Sequence, residues 1–471
     1  MTIQRTHGIA ALFTLLAASG SALASATEDL RVEPDSPQTG SSFGDSVAIG
    51  EDYLVTGSQT YDNVYTDDGI VTLVFPDPVT GLPASQLEIA PSTLNASAYF
   101  GQTVAASGDT FAVTAKGLHD TGGSPVGAVF VYKVNSPSSV TLQAQIQPAG
   151  LSVSDLFAFD IDLEGDTLAI GVPGANSTTG EVWMYTRTGS SWSLDSAVAS
   201  PHGDAGDGFG IAVALEQGNE NHLIVSAPYD SDVAVSSGRV YFFDGNSGWS
   251  APELWTEVDQ TTVGTSTYLL GTAVDVVYGA LVVGETFANT VHVFTSYDCA
   301  GLCLFQSIEP TSSGTVSDFG SSIAMSDDLL IVGAKTSNVA GPVSGAGYLF
   351  RAIEGGFVQL AELQDSAGAA GYALGAGVAL DGDIMILGST GATVDSTIQA
   401  GVLLGWDVSS TPGCPTDVNM DALTNVQDLL ALLTSWGTCT EDDGCSEDLD
   451  GDSDIDLDDL AVLIISWGAC G

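Results

Sequence analysis

Apolar and polar positions alternate with a period of two along most of the chain, in short runs, and no long stretch repeats apolar residues at helical spacing. Seven segments share one pattern. An aromatic residue or leucine precedes Gly or Ala, then come alternating apolar positions, a short acidic turn, and a second apolar strand ending in a small residue. They run from Phe43-Gly44 to Gly57, Phe100-Gly101 to Ala115, Phe157-Ala158 to Pro173, Phe209-Gly210 to Pro228, Leu270-Gly271 to Gly284, Phe319-Gly320 to Ala334, and Leu374-Gly375 to Gly388. Each continues through a polar loop into a third strand, such as Gly127–Val131 or Gly180–Tyr185, and a fourth, such as Leu87–Pro91 or Ser307–Pro310. Four short antiparallel strands, recurring every 49 to 61 residues, predict a seven-bladed all-β propeller over residues 29–408. Leu30-Arg31-Val32-Glu33-Pro34 reads like the fourth strands, whereas the last unit ends at Gly401–Val408 without one. The N-terminal segment is therefore expected to complete the final blade and close the ring, which removes open sheet edges.

The pattern changes at both ends. Arg5, an apolar run through Ile9–Ala18 and the small residues Ala22-Leu23-Ala24 follow the order of a secretory signal peptide over residues 1–26, with the mature chain starting at Ser25 or Thr27. No other stretch reaches the ~18 uninterrupted apolar residues of a membrane helix, so no membrane span is expected and the destination is extracellular or the cell surface. Residues 409–413 read as a linker. Beyond it, Cys414–Cys439 and Cys445–Cys470 align with each other at an offset of 31 residues. Each holds oxygen donors at positions 1, 3, 5, 9 and 12 of a loop, with a backbone carbonyl at 7. The first set is Asp417, Asn419, Asp421, Leu423, Asn425 and Asp428; the second is Asp448, Asp450, Asp452, Asp454, Asp456 and Asp459. Ca²⁺ takes six to eight oxygens, and this spacing wraps them around one point; up to two Ca²⁺ ions are expected, both in residues 414–471. A helix should follow each loop, because Leu429, Leu432, Leu433 and Trp436, and likewise Leu460, Leu463, Ile464 and Trp467, stand at i, i+3, i+4 and i+7.

Charge narrows the choice of partners. Eight basic residues face 59 acidic ones, a formal charge of −51. Nucleic acid and anionic membrane both require a basic footprint and are excluded. Most of this acidity reads as a soluble surface; only the C-terminal clusters have ligand spacing. The six cysteines fit an oxidising compartment. Cys414 with Cys439 and Cys445 with Cys470 share one separation and are the favoured pairs among three connectivities, while Cys299 and Cys303 would clip a loop of the fifth blade.

The repeats resemble the FG-GAP repeats of the integrin-α-type propeller. Phe43-Gly44, Phe100-Gly101, Phe209-Gly210 and Phe319-Gly320 match the first half of that motif, and Gly171-Val172-Pro173, Ser226-Ala227-Pro228 and Gly333-Ala334-Lys335 approximate the second. Calcium-binding members carry a D-x-D-x-D-G-type loop between the first two strands. Here that place holds only tight turns such as Gly50-Glu51-Asp52, Ser107-Gly108-Asp109 and Ser326-Asp327-Asp328, so these acids read as turn formers and the calcium sites do not carry over. Residues 414–471 resemble a dockerin, an EF-hand-type loop–helix duplicate, of the planctomycete type; Ser435-Trp436-Gly437 and Ser466-Trp467-Gly468 share its tails. Positions 10 and 11 are Val426-Gln427 and Leu457-Asp458 rather than the Ser-Thr used by cellulosomal dockerins, so a cohesin-like protein other than the cellulosomal kind stays open as docking partner. Position 6, usually Gly, is Ala422 in one loop and Ser453 in the other, and the second loop is the richer in carboxylates.

Catalytic signatures are absent: no nucleophile elbow, phosphate loop, HExxH or histidine cluster occurs. His119, His202, His222 and His292 stand in separate repeats and read as surface or turn residues. Asp204 and Asp207 before Phe209, and Asp230 and Asp232 after Pro228, could serve glycoside hydrolysis, and otherwise are solvated loop acids. Trp183, Trp192, Trp249 and Trp255 are expected to pack between blades. The sequence thus points to a secreted, non-catalytic binding, adhesion or scaffold protein, its propeller face holding an extracellular protein or glycan and its tail docking with Ca²⁺. The alternative is a propeller hydrolase or lyase acting on extracellular polysaccharide.

Overall fold

The computed structural model describes residues 28–76, 83–216, 221–264, 267–295, 301–312, 314–326, 328–353 and 356–407, and beyond them residues 423–424, 429, 432–433, 436–438, 454–455, 457, 460, 463 and 468–469. The expected signal peptide (1–26) and linker (409–413) lie outside these.

Seven four-stranded antiparallel sheets follow one another in chain order. Strands are lettered a to d from the axis outward. Blade 1 comprises Val47–Ile49, Leu54–Ser58, Ile70–Pro76 and Pro83–Ile89, and blade 2 Phe100–Ser107, Thr110–Ala115, Ala128–Ser136 and Ser139–Ile146. Blade 3 comprises Ile161–Glu164, Thr167–Val172, Glu181–Thr188 and Ser191–Ala199, and blade 4 Val213–Glu216, His222–Ala227, Arg239–Asp244 and Glu253–Asp259. Blade 5 comprises Val274–Val277, Ala280–Glu285, Thr290–Thr295 and Cys303–Ile308, and blade 6 Ser322–Ser326, Leu329–Gly333, Gly347–Ile353 and Gly356–Leu363. Blade 7 takes Leu374–Asp381, Ile384–Ser389 and Val402–Asp407 from the end of the repeats and Leu30–Val32 from their beginning. Leu30, Arg31 and Val32 pair with Gly405, Leu404 and Leu403, which is the ring closure expected from sequence.

The period of two sets the packing. In strand b of blade 6, Leu329 and Ile331 point toward blade 7 while Leu330 and Val332 point toward blade 5. Strands b are accordingly buried on both faces. Seven apolar clusters result, one in each gap between neighbours, the last joining Leu30, Val32, Ile386 and Leu403 of blade 7 to Phe43, Val47, Leu54 and Val74 of blade 1. Burial of this kind stabilises by roughly 25 cal/mol per Å² of apolar surface, and each of these clusters joins two neighbouring blades.

The motif residues lie at these joints. Phe100 forms a parallel bridge to Gly69, just before strand c of blade 1. Gly69 has φ +82°, and a Cβ there would come within 2.1 Å of the Phe100 carbonyl oxygen. A Cβ on Gly57, at the end of strand b, would stand 1.8 Å from the Gly101 oxygen. The repeated Gly therefore allows the innermost strand to pass backbone to backbone against the blade before it. The same bridge recurs at Gly180–Phe209, Gly238–Leu270, Gly345–Leu374 and, across the closure, Gly401–Phe43.

In the C-terminal segment, Leu423–Thr424 pairs with Gly468–Ala469 and Gly437–Thr438 with Asp454–Ile455. Leu432, Ile455 and Leu463 are buried together, with Leu429 and Leu460 against them.

Candidate functional site

Strands a begin, and strands b end, on the same side of the ring, so the d–a and b–c loops share one face and the a–b turns and c–d loops the other. The loop face carries the most chemically distinctive site, at blade 4. Arg239 opens strand c and is almost fully buried. Its Nε donates to Asp230 Oδ2 at 3.1 Å and its Nη2 to Asp232 Oδ2 at 3.1 Å; Nη1 donates to Glu257 and lies 3.7 Å from Asp259 Oδ2. His202 bridges the same cluster, 3.0 Å from Asp232 and 2.9 Å from Glu257. A buried guanidinium is tolerable because all three of its nitrogens meet carboxylates.

Against this cluster lies an open cavity of about 510 Å³ lined by Asp204, Asp207, Tyr229, Asp232 and the hydroxyl-bearing Ser231 and Ser236. Asp207 is 7% exposed, and its Oδ2 has no hydrogen-bond partner. Desolvation, reinforced by Asp230, Asp204 and Asp232 and only partly offset by Arg239, pushes its carboxyl up to about 6. The pocket is short of one hydrogen-bond donor: it can receive a hydroxyl or a cationic group from a ligand, or hold a proton of its own.

The structure thus gathers Asp204, Asp207, Asp230 and Asp232, which the sequence presented as solvated loop acids. Asp204 and Asp232 are exposed, as that reading has them, whereas Asp207 and Asp230 are buried; Asp230 can be fully so because Arg239 pairs with it from strand c. His222 and His292 also depart from the surface reading. Both are buried on strands, His222 2.8 Å from Glu216 and His292 3.0 Å from Glu285 and 2.9 Å from Ser307. Trp183 packs on Phe157, Trp192 donates to Gln143 of blade 2, and Trp249 is buried in the gap between blades 3 and 4, as expected; Trp255 is only half-buried, edge-on to Phe242.

The turn acids have a role that the sequence did not reveal. Asp109, Asp166 and Asp328 form ion pairs with Lys133, Arg187 and Arg351, each on strand c of the same blade. Of the twelve expected calcium-ligating positions, Asp417, Asn419, Asp421, Asn425, Asp428, Asp448, Asp450, Asp452, Asp456 and Asp459 lie outside the described residues; Leu423 and Asp454 stand at equivalent places in the two short pairings. Among the described residues no group of three or more His, Cys, Asp or Glu is arranged to hold a metal ion, and no helix is long and apolar enough to cross a membrane. Cys303 is not a free thiol; the other five cysteines lie outside the described residues.

The FG-GAP repeat model matches residues 84–132, 192–243 and 310–350. Each match begins at the outermost strand of one blade, or just after it, and ends in strand c of the next, spanning the joints built on Phe100-Gly101, Phe209-Gly210 and Phe319-Gly320. The chain carries FG-GAP repeats. In these three stretches of the seven-bladed propeller the motif stands at the joint between blades. Similar solved structures include a Lactobacillus plantarum protein, at 16% identity and TM-score 0.46, covering 69% of this chain and 86% of that one. Saccharomyces cerevisiae Sqt1 is another, at 11% identity and TM-score 0.47, covering 80% and 99%. No curated protein matches the chain.

Proposed function

We propose that this is a secreted, non-catalytic binding protein whose propeller loop face holds an extracellular protein or glycan, and whose residues 414–471 dock it, with Ca²⁺, onto another component. The observation that carries the reading is a one-sided surface. Val64, Tyr65, Val235, Phe287, Val343 and Ile398 are strongly exposed in the b–c loops of blades 1, 4, 5, 6 and 7. Of these, Val64, Val235, Phe287 and Ile398 are more than 60% exposed, and among the described propeller residues outside the b–c loops Tyr278 alone matches them. Clustered exposed apolar side chains mark interaction surfaces. The loops that present them are also held in place. The buried Asp68 carboxylate accepts from the backbone N–H of Asn63, Val64 and Tyr65 at 2.8, 2.9 and 3.0 Å. Rigid presentation lowers the entropic cost of binding.

Two tests address the two halves. Immobilised full-length protein, probed with an extracellular glycan array and with surface proteins, should capture a ligand that Phe287→Asp loses and Tyr278→Asp keeps; equal loss from both variants would sink the face assignment. Calcium titration of the full chain should give two sites, the tighter one removed by Asp448→Ala with Asp459→Ala. An unchanged titration would refute the ligand set.

A second reading, the polysaccharide hydrolase or lyase, draws on Asp207. A carboxyl raised to about 6 beside other carboxylates in an open cavity has the properties of a general acid. Turnover of a polysaccharide panel that Asp207→Asn abolishes would favour it, and no turnover across the panel would dismiss it.

A further inference from the structure

We propose that the axial mouth on the loop face is a second binding site, in which Lys116 and Lys335 receive the carboxylate of an acidic saccharide. The inference rests on the reading that this face binds ligands, and it concerns a place distinct from the blade 4 pocket. Seven cationic side chains are described. Five of them, Arg31, Lys133, Arg187, Arg239 and Arg351, form ion pairs within 4 Å. Lys116 and Lys335 do not, in a chain with a formal charge of −51. They occupy the same place in blades 2 and 6, immediately after Ala115 and Ala334, where strand b gives way to the b–c loop.

Their surroundings draw on blades 1 and 3 as well. The Lys116 ammonium lies 4.2 Å from the ring centroid of Phe159 of blade 3, an aromatic platform that keeps a cation in place without neutralising it. Lys335 is exposed. Asp45 of blade 1 senses both: burial pushes its carboxyl up, while Lys335, a hydrogen bond from Gln59 and then Lys116 draw it down. Burial lowers Lys116 to about 8 despite Asp160 and Asp45. The two acids are already engaged, Asp45 by Gln59 and Asp160 by the backbone N–H of Val213 at 3.0 Å. The lysines therefore keep free N–H donors, and a desolvated ammonium of this kind gains most from a carboxylate that replaces its lost hydration. The places corresponding to Asp45 in blades 2, 5 and 6 are held by Gln102, Thr272 and Ser321. These are uncharged hydrogen-bonding side chains, Thr272 already donating to the Gly284 carbonyl oxygen at 3.1 Å, and Gln102 and Ser321 suit sugar hydroxyls rather than a second charge.

The probe is trigalacturonate, titrated calorimetrically into the full chain at 0.15 M salt and pH 6.5, with its trimethyl ester as a neutral control of the same skeleton. Binding of the acid alone is expected. Lys116→Met and Lys335→Met should each weaken it about tenfold, the value of one charge-assisted hydrogen bond, and arginine at either position should restore most of it. Lys335 is exposed, so its variants keep the test valid if a Lys116 variant unfolds. Silence toward trigalacturonate, equal binding of the ester, preference for triglutamate, or binding that survives both Met substitutions would overturn the proposal. Loss in Phe287→Asp with the lysine variants unaffected would leave the binding face standing and reject the mouth.

Discussion

The two ends of the propeller solve the same problem, how to turn a strand back, with different materials. At the a–b turns of blades 2, 3, 5 and 7 the chain reverses in two residues, and turn acids meet bases on strand c in pairs that solvent reaches, with Asp166 and Asp328 more than half exposed. On the loop face, the b–c connections are longer than these turns. One of them folds its acids around a buried arginine, and others project apolar side chains outward. Equivalent chemistry, an aspartate beside an arginine, is thus ornamental at one end and structural at the other. What separates the two is desolvation, because charges stabilise or cost according to how much water they have lost.

This contrast can be broken first by arginine deletion. Arg239→Met strands Asp230, Asp232 and Glu257 beside one another and should cost about 3–5 kcal/mol in urea unfolding. Arg187→Met on the turn face should cost no more than about 1 kcal/mol. Similar costs would show that both ends are electrostatically alike. Next in size, Asp68→Ala frees three backbone amides and should cost about 1–3 kcal/mol, with faster hydrogen exchange confined to residues 62–68; unchanged exchange there would deny that this carboxylate holds the loop.

Acidity sharpens the comparison along the axis. Asp162 and Asp275 reach from the innermost strands of blades 3 and 5 to the Leu215 and Met325 amides of the next blades, at 2.7 and 2.6 Å. Burial pushes both carboxyls up to about 7. The unfolded value is about 3.9, so between these limits the native state binds more protons than the unfolded one, and stability falls as pH rises from about 4 to 7. Thermal midpoints should be higher at pH 5 than at pH 7.5, and Asp162→Asn with Asp275→Asn should flatten the slope. A flat wild-type profile would contradict the shift. The smallest stability effects belong to the exposed residues: Phe287→Asp and Tyr278→Asp should each change folding by less than about 0.5 kcal/mol, with unequal effects on ligand capture alone.

Much of the fold was legible because the repeat fixes register. Period-two alternation told which residues face which gap, and the unpaired Leu30–Pro34 segment with the missing fourth strand of the last unit dictated closure. The site was legible only in pieces. Asp204, Asp207, Asp230 and Asp232 could be singled out, but their state depends on Arg239 and Glu257, which arrive from strands c and d across two hairpins. Likewise Asp109, Asp166 and Asp328 look like turn formers until Lys133, Arg187 and Arg351 come back beside them. His222 and His292 misled for a related reason: alternation places them inward, but the acids that make burial tolerable, Glu216 and Glu285, lie on neighbouring strands.

The clasp between Leu30–Val32 and Val402–Asp407 also sets a timetable. The strand that seals the ring is made first, yet its partner is made last among the propeller strands. Throughout synthesis the nascent chain must therefore keep Leu30, Arg31 and Val32 from pairing with any of the six earlier outer edges. Charges help to enforce this: Arg31 meets Asp365 at 2.9 Å only in the finished ring, so the correct edge is recognised by a residue that emerges long after the wrong ones have come and gone.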